Sequence, residues 1–238
     1  MSAFSRVKML IGQDKLNILQ SSHVAVFGIG GVGGYTAEAL VRSGIGEITI
    51  VDNDVVATSN LNRQIIATIN VLGKDKVSIM KERLLSINPN LIVHAKTLFF
   101  LPETAGEIDF SSFDYVVDAV DTVTAKIELI SRANSLNVPI ISCMGTGGKT
   151  DIMALKVSDI KNTKVCPLAR VMRRELKTRG IENLKVVYSE ELPKTADCSS
   201  EEIITGVKKA PPSMIFVPGA AGLMLAREVV CDLTEDKQ

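Results

Sequence analysis

A chain of 238 residues with 27 acidic and 27 basic side chains carries no formal net charge, so no global field draws it onto a polyanion and any phosphate or nucleic-acid site has to be a local patch. Apolar residues make up 46% and charged residues 23%, the balance of a soluble globular protein large enough to build a core without staples. No apolar run approaches the roughly 20 residues of a membrane span, the N-terminus lacks a signal-peptide core, and none of the four cysteines pairs as C-x-x-C, which together predict a cytoplasmic protein with reduced thiols and no membrane partner.

Residues 5–20 have helical periodicity and stop near Ser21 and Ser22. A first strand is expected over 23–27, a helix over 32–43 closed by Gly44 and Gly46, and a second strand over 47–51. Residues 74–87 predict an amphipathic helix with Val77, Met80, Leu84 and Ile87 on one face, ended by Asn88-Pro89-Asn90. Strands over 91–95, 115–118 and 139–143 flank a helix over 124–136 that turns Ile127, Ile130 and Ala133 inward. Strands alternating with helices predict an α/β fold, doubly wound and Rossmann-like, with a mostly parallel sheet. The C-terminal part is mixed: a strand over 153–157, a helix over 167–177, a strand over 184–188, a polar proline-containing loop over 189–213, and a closing helix over 219–233 that begins with small residues. A single domain over 1–238 is expected, its nucleotide-binding core at about 5–150 and a substrate-facing extension at about 151–238.

The chemistry concentrates after the first strand. The turn Gly28-Ile29-Gly30-Gly31-Val32-Gly33-Gly34 precedes a helix, and Asp52 and Asp54 follow the second strand. Glycines let the backbone approach a ligand, the helix start offers free N–H groups to phosphate, and an acid about 20 residues on can bond ribose hydroxyls. Taken alone, this pattern points to NAD or FAD. The run Ser59-Asn60-Leu61-Asn62-Arg63-Gln64 argues instead for a triphosphate, because Arg63 can bond phosphate oxygens in fixed geometry. Lys76 could add a point charge or lie solvated on its helix, and Asp121 could cap the following helix. A non-enzymatic NAD(P)-binding regulator is a third possibility, opposed by Arg63 and Lys76. The segment Cys143-Met-Gly145-Thr-Gly147-Gly148-Lys149-Thr150 ends like a Walker A loop, but the pattern wants Gly at Cys143 and the residues that follow read as a strand rather than a phosphate-capping helix; a glycine turn lining the same pocket is expected.

Together, Gly28 to Gly34, the run from Asp52 to Gln64, Lys76 and Asp118-Ala-Val-Asp121 resemble the ThiF/MoeB family of ubiquitin-activating-enzyme-like adenylyltransferases. The resemblance implies an enzyme that uses ATP and Mg²⁺ to turn a carboxylate into an acyl-adenylate. It implies that Asp52 binds the ribose, that Asn60, Arg63 and Lys76 hold the phosphates, and that Asp121 holds Mg²⁺. Gly28, Gly30, Gly31, Gly33, Asp54, Ser59, Gln64 and Thr122 complete the implied nucleotide-facing set. Arg6 matches a family arginine that enters the partner subunit's site, which implies a homodimer and makes Arg6, with Arg63, Lys76 and Asp121, a candidate catalytic residue; a surface charge is its alternative.

The second half resembles the TcdA (CsdL) branch of that family through Arg6 to Gly12, Gly145 to Gly148, Val157 to Thr163 and Pro167-Leu-Ala. That branch implies a tRNA threonylcarbamoyladenosine dehydratase, which adenylates the threonyl carboxylate of the modified adenosine beside the anticodon and lets it cyclise. The alternative is activation of the C-terminus of a ubiquitin-like sulfur carrier, although paired zinc cysteines are lacking. A cysteine-desulfurase or sulfur-acceptor partner stays open, as does a reactive Cys198, whose acidic neighbours Asp197, Glu201 and Glu202 would raise its pKa. For tRNA, Arg170, Arg173, Arg174 and Lys177 share one helix face opposite Leu168, Met172 and Leu176; this is either a phosphate-binding stripe or an ordinary solvated face.

Overall fold

The computed structural model describes residues 3–195 and 211–235. Seven strands, β1 (His23–Phe27), β2 (Glu47–Val51), β3 (Ile92–Lys96), β4 (Tyr115–Asp118), β5 (Ile140–Cys143), β6 (Leu155–Asp159) and β7 (Lys185–Ser189), form one sheet in the order β3-β2-β1-β4-β5-β7-β6. Every pairing is parallel except β6 with β7. Chain progression reverses between β1 and β4, and in such sheets the crevice beyond the carboxyl ends of the strands at that point receives the ligand.

Period-two alternation assigns the strand side chains to two faces. Val24, Val26, Ile48, Ile50 and Val117 pack with α3 (Gly33–Ser43), α4 (Lys76–Ile87) and α7 (Phe216–Thr234). Ala25, Phe27, Val51 and Val116 pack on the other face with Phe100, Phe110, Phe113 and α5 (Val123–Ser135). The basic helix α6 (Pro167–Lys177) buries Ala169, Met172 and Leu176 against β7 residues Val186 and Tyr188. The small residues opening α7 have a packing reason: a Cβ at Gly222 would lie 2.4 Å from the Val32 carbonyl oxygen, so α7 can approach α3 this closely only without a side chain there.

The helix expected over 5–20 is two helices, α1 (Ser5–Ile11) and α2 (Gln13–Ser21), separated at Gly12, whose φ of 87° lies outside the helical region. Much of the loop expected over 189–213 lies outside the described residues. No described helix is long and apolar enough to cross a membrane.

Candidate nucleotide site

The crevice at the switch point is a cavity of about 780 Å³, within the size range of small-molecule sites. Its floor is the glycine turn after β1. A Cβ at Gly33 would fall 1.8 Å from the Gly28 carbonyl oxygen, so only glycine lets α3 start against the turn. The Asp52 carboxylate fastens this floor to the end of β2: Oδ2 accepts from the Ile29 amide at 2.6 Å and Oδ1 from the Asp54 amide at 2.8 Å. Burial raises the Asp52 pKa, outweighing the opposing pull of Lys76 and the two amides.

One wall is the loop between β2 and α4. The Asn60 side chain accepts from the Ala57 amide at 3.0 Å and fixes a short 3₁₀ turn. Arg63 donates to the Ser59 carbonyl at 2.7 Å and to Asn62 Oδ1 at 3.0 Å. Lys76 is buried, 4% exposed, and donates to Asp54 Oδ2 at 2.6 Å. Gln64 is also buried in the lining, and its Oε1 has no hydrogen-bond partner among the described residues. An unpaired buried amide oxygen costs about 1–3 kcal/mol, so Gln64 Oε1 stands as an open acceptor in this wall. The opposite wall is apolar, formed by Leu98, Phe99 and Phe100, while Asp121 and Thr122 stand at the rim after β4.

A model of the ThiF family matches residues 4–237. The chain belongs to the ThiF family. Over 241 aligned residues this ThiF-family chain is 40% identical to the tRNA threonylcarbamoyladenosine dehydratase of Bacillus subtilis (strain 168), covering 98% of this chain and 95% of that protein. It is also similar to two structures of the Escherichia coli dehydratase TcdA, each 30% identical and covering 97% of this chain and 93% of that one. The AMP complex superposes with a TM-score of 0.87 and the ATP complex with 0.84.

Of the residues implicated by the sequence, Gly28, Gly30, Gly31, Asp52, Asp54, Asn60, Arg63, Gln64, Lys76, Asp121 and Thr122 line the one cavity. Gly33 and Ser59 do not; they support it, through helix packing and through the carbonyl held by Arg63. Arg6 also stands outside the cavity, exposed on α1. Lys76 is no solvated helix residue, because the loop after β2 folds back through an antiparallel bridge between Val55 and Asp75 and puts Asp54 on its ammonium. Asp121 is exposed and does not cap α5, whose N-cap position is Thr122.

The Walker-like segment is a turn that lines the cavity at Gly145, Thr146 and Gly147. The buried Lys149 ammonium donates to the Gly145 and Ser189 carbonyls at 2.9 and 3.3 Å, away from any phosphate-cradling helix start. Cys143 lines the cavity too, but burial pushes its thiol up to about 12, which disfavours the thiolate. The described cysteines Cys143, Cys166 and Cys231 are free; Cys198 lies outside the described residues.

Two features of the site lay outside the sequence reading. Lys126, fully buried on α5, donates to both oxygens of Asp118 and to the Cys143 carbonyl at 2.7 Å, joining the ends of β4 and β5. In the basic helix, Arg173 differs from its neighbours: its guanidinium is tied to Thr163, 2.7 Å from the carbonyl and 2.5 Å from Oγ1. Arg170, Arg174 and Lys177 are exposed.

Proposed function

We propose that this chain is an ATP-dependent tRNA threonylcarbamoyladenosine dehydratase. The observation that carries the proposal is a near full-length likeness to proteins of that name, combined with a single cavity that gathers the glycine turn, Asp52, Arg63, Lys76 and Asp121. The sulfur-carrier alternative is the weaker reading, because the described residues contain no zinc-cysteine cluster and the likeness to the dehydratase spans 95% of that protein.

ATP lies with its ribose toward Asp52, which keeps lone pairs beyond the two amides it already accepts, and with its phosphates toward Arg63 and Lys76. Asp121 offers the oxygen donor that suits Mg²⁺, an ion usually bound by one or two carboxylates plus phosphates; when bound, it offsets phosphate charge. The threonyl carboxylate of the substrate attacks the α-phosphorus and pyrophosphate leaves. The neighbouring ureido group then attacks the activated carbonyl, AMP departs with the carboxylate oxygen, and the net change is loss of water. The protein supplies orientation and charge stabilisation, with no thiol intermediate.

The chain acts as one domain in the cytoplasm and as a homodimer. Helix α1 buries no residue of its own and exposes Met9 and Leu10, so a second copy covering it would carry Arg6 with it. Arg170, Arg174 and Lys177 face tRNA, and Arg173 holds their helix. The test is incubation with ATP, Mg²⁺ and modified tRNA followed by nucleoside mass spectrometry. Loss of one water from the threonylcarbamoyladenosine, abolished in Asp121→Ala, is the expected result; ATP consumption that needs a Gly-Gly-ended protein rather than tRNA would transfer the chain to the alternative.

A further inference from the structure

The chain has two histidines, and the fold brings both onto one carboxylate. His23 opens β1, Glu47 opens β2, and His94 lies on β3, the edge strand of the sheet. His23 pairs in register with Glu47, and Thr49 with His94, so the four side chains share one sheet face. His94 Nε2 is 2.8 Å from Glu47 Oε1, and His23 Nδ1 is 3.5 Å from the same oxygen. The three ligand atoms lie within 4.8 Å of one another. This group sits at the amino ends of β1 and β2, about 16 Å along β1 from the glycine turn, and the proposed dehydration does not use it.

We infer that His23, Glu47 and His94 form a binding site for a divalent transition-metal ion of the zinc type, with solvent as the fourth ligand. Bonds of about 2.0–2.2 Å in a tetrahedral site hold neighbouring ligand atoms about 3.3 Å apart, and the present separations of 2.8 and 3.5 Å bracket that spacing. Two imidazoles and a carboxylate suit zinc, nickel or copper rather than magnesium. A supporting shell is already in place. The buried Thr49 hydroxyl lies 2.8 Å from His23 Nε2; with Nε2–H donating to it, Nδ1 keeps its lone pair for the ion. The Phe113 ring packs edge-on to His23 at 4.9 Å. With ligands from three adjacent strands, the ion would pin the edge strand β3.

The experiment titrates Zn²⁺ alone into the full chain by calorimetry and Co²⁺ by visible absorption. One equivalent is expected to bind, and Co²⁺ should show four-coordinate bands without a thiolate charge-transfer band. His94→Ala, at a half-exposed edge position, should lower affinity by more than the roughly 10–100-fold that loss of an outer-shell partner costs, while keeping Mg²⁺–ATP binding. Glu47→Gln should do the same, and Thr49→Val should lower affinity about tenfold. Absent binding, binding unchanged in both His94→Ala and Glu47→Gln, or a Co²⁺ adduct with thiolate bands would overturn the proposal. Dehydratase activity is a separate readout, so failure here leaves the proposed function standing.

Discussion

The ammonium of Lys126 stands 3.0 Å from Asp118 Oδ2, and neither side chain reaches solvent. The Ser142 hydroxyl and the Val120 amide also donate to this carboxylate, so one buried pair ties α5, β4 and β5 together just beneath Asp121 and the Gly145 turn. Removing one partner of such a pair leaves an uncompensated buried charge and costs about 3–5 kcal/mol. Lys126→Met should therefore lower the thermal midpoint by roughly 10 °C in a domain of this size. Adding Asp118→Asn, which removes the stranded charge, should recover at least half of the loss. A single variant as stable as the parent in a calorimetric scan would show that the pair does not hold the site.

Arg63 has the opposite profile. Its guanidinium rests on the Ser59 carbonyl and Asn62 of its own loop, contacts that contribute little to folding. If it stabilises charge on the triphosphate, Arg63→Ala should lower kcat/KM for ATP about 10²–10³-fold, the scale of losing one positioned donor, with a thermal midpoint near that of the parent. Full turnover in the variant would remove Arg63 from the phosphate-binding role.

The strands, the mostly parallel sheet and the glycine turn of the cavity floor were legible because they follow from local rules: period two in the strands, glycines at a turn, an acid after β2; the strand order, and with it the switch point, came only from the structure. The basic helix over 167–177 matches its observed bounds because Pro167 opens it and the periodicity is strong. What sequence could not supply is any fact that depends on which distant element faces a side chain. Lys76 looks solvated until the loop carrying Asp54 is seen to return over it. Lys126 falls beside the inward positions of α5 and gains its partner only because β4 and β5 are neighbours. Arg173 shares a helical face with Arg170 and Lys177, and only the turn before α6 brings Thr163 against it. The break at Gly12 was masked by apolar residues that continue a helical rhythm on both sides.

Acid should weaken the contact between α3 and α4. Glu38 on α3 accepts from Arg42 at 2.8 Å and from Arg83 on α4 at 2.5 Å. Burial alone would raise its pKa, but the two guanidinium partners outweigh that and hold it below the ordinary glutamate value of 4.5. A carboxylate with a depressed folded-state pKa contributes stability that is present above the unfolded pKa and lost as pH falls through the folded one. Glu38→Gln should therefore be less stable than the parent at neutral pH, and the difference should shrink as pH drops below about 4.5. Urea denaturation across pH 3–7 checks this; a stability gap independent of pH would mean that Glu38 acts by packing rather than by charge.

The tRNA surface is tested by separating anchor from contact within α6. Arg170 and Lys177 make no side-chain ion pair among the described residues, whereas Arg174 shares Glu175 with Arg179. Reversing charge at the first two, Arg170→Glu with Lys177→Glu, should weaken tRNA binding and leave both ATP affinity and the thermal midpoint close to those of the parent. If Arg170, Arg174 and Lys177 each meet a phosphate, the parent's log–log salt slope is about −2 to −3, and the double variant should flatten it by about 1.4–1.8. Arg173→Glu should behave differently, since it breaks the tie to Thr163 and should lower stability as well as binding. Unchanged tRNA affinity at moderate salt in the Arg170–Lys177 double variant would make the face an ordinary solvated one.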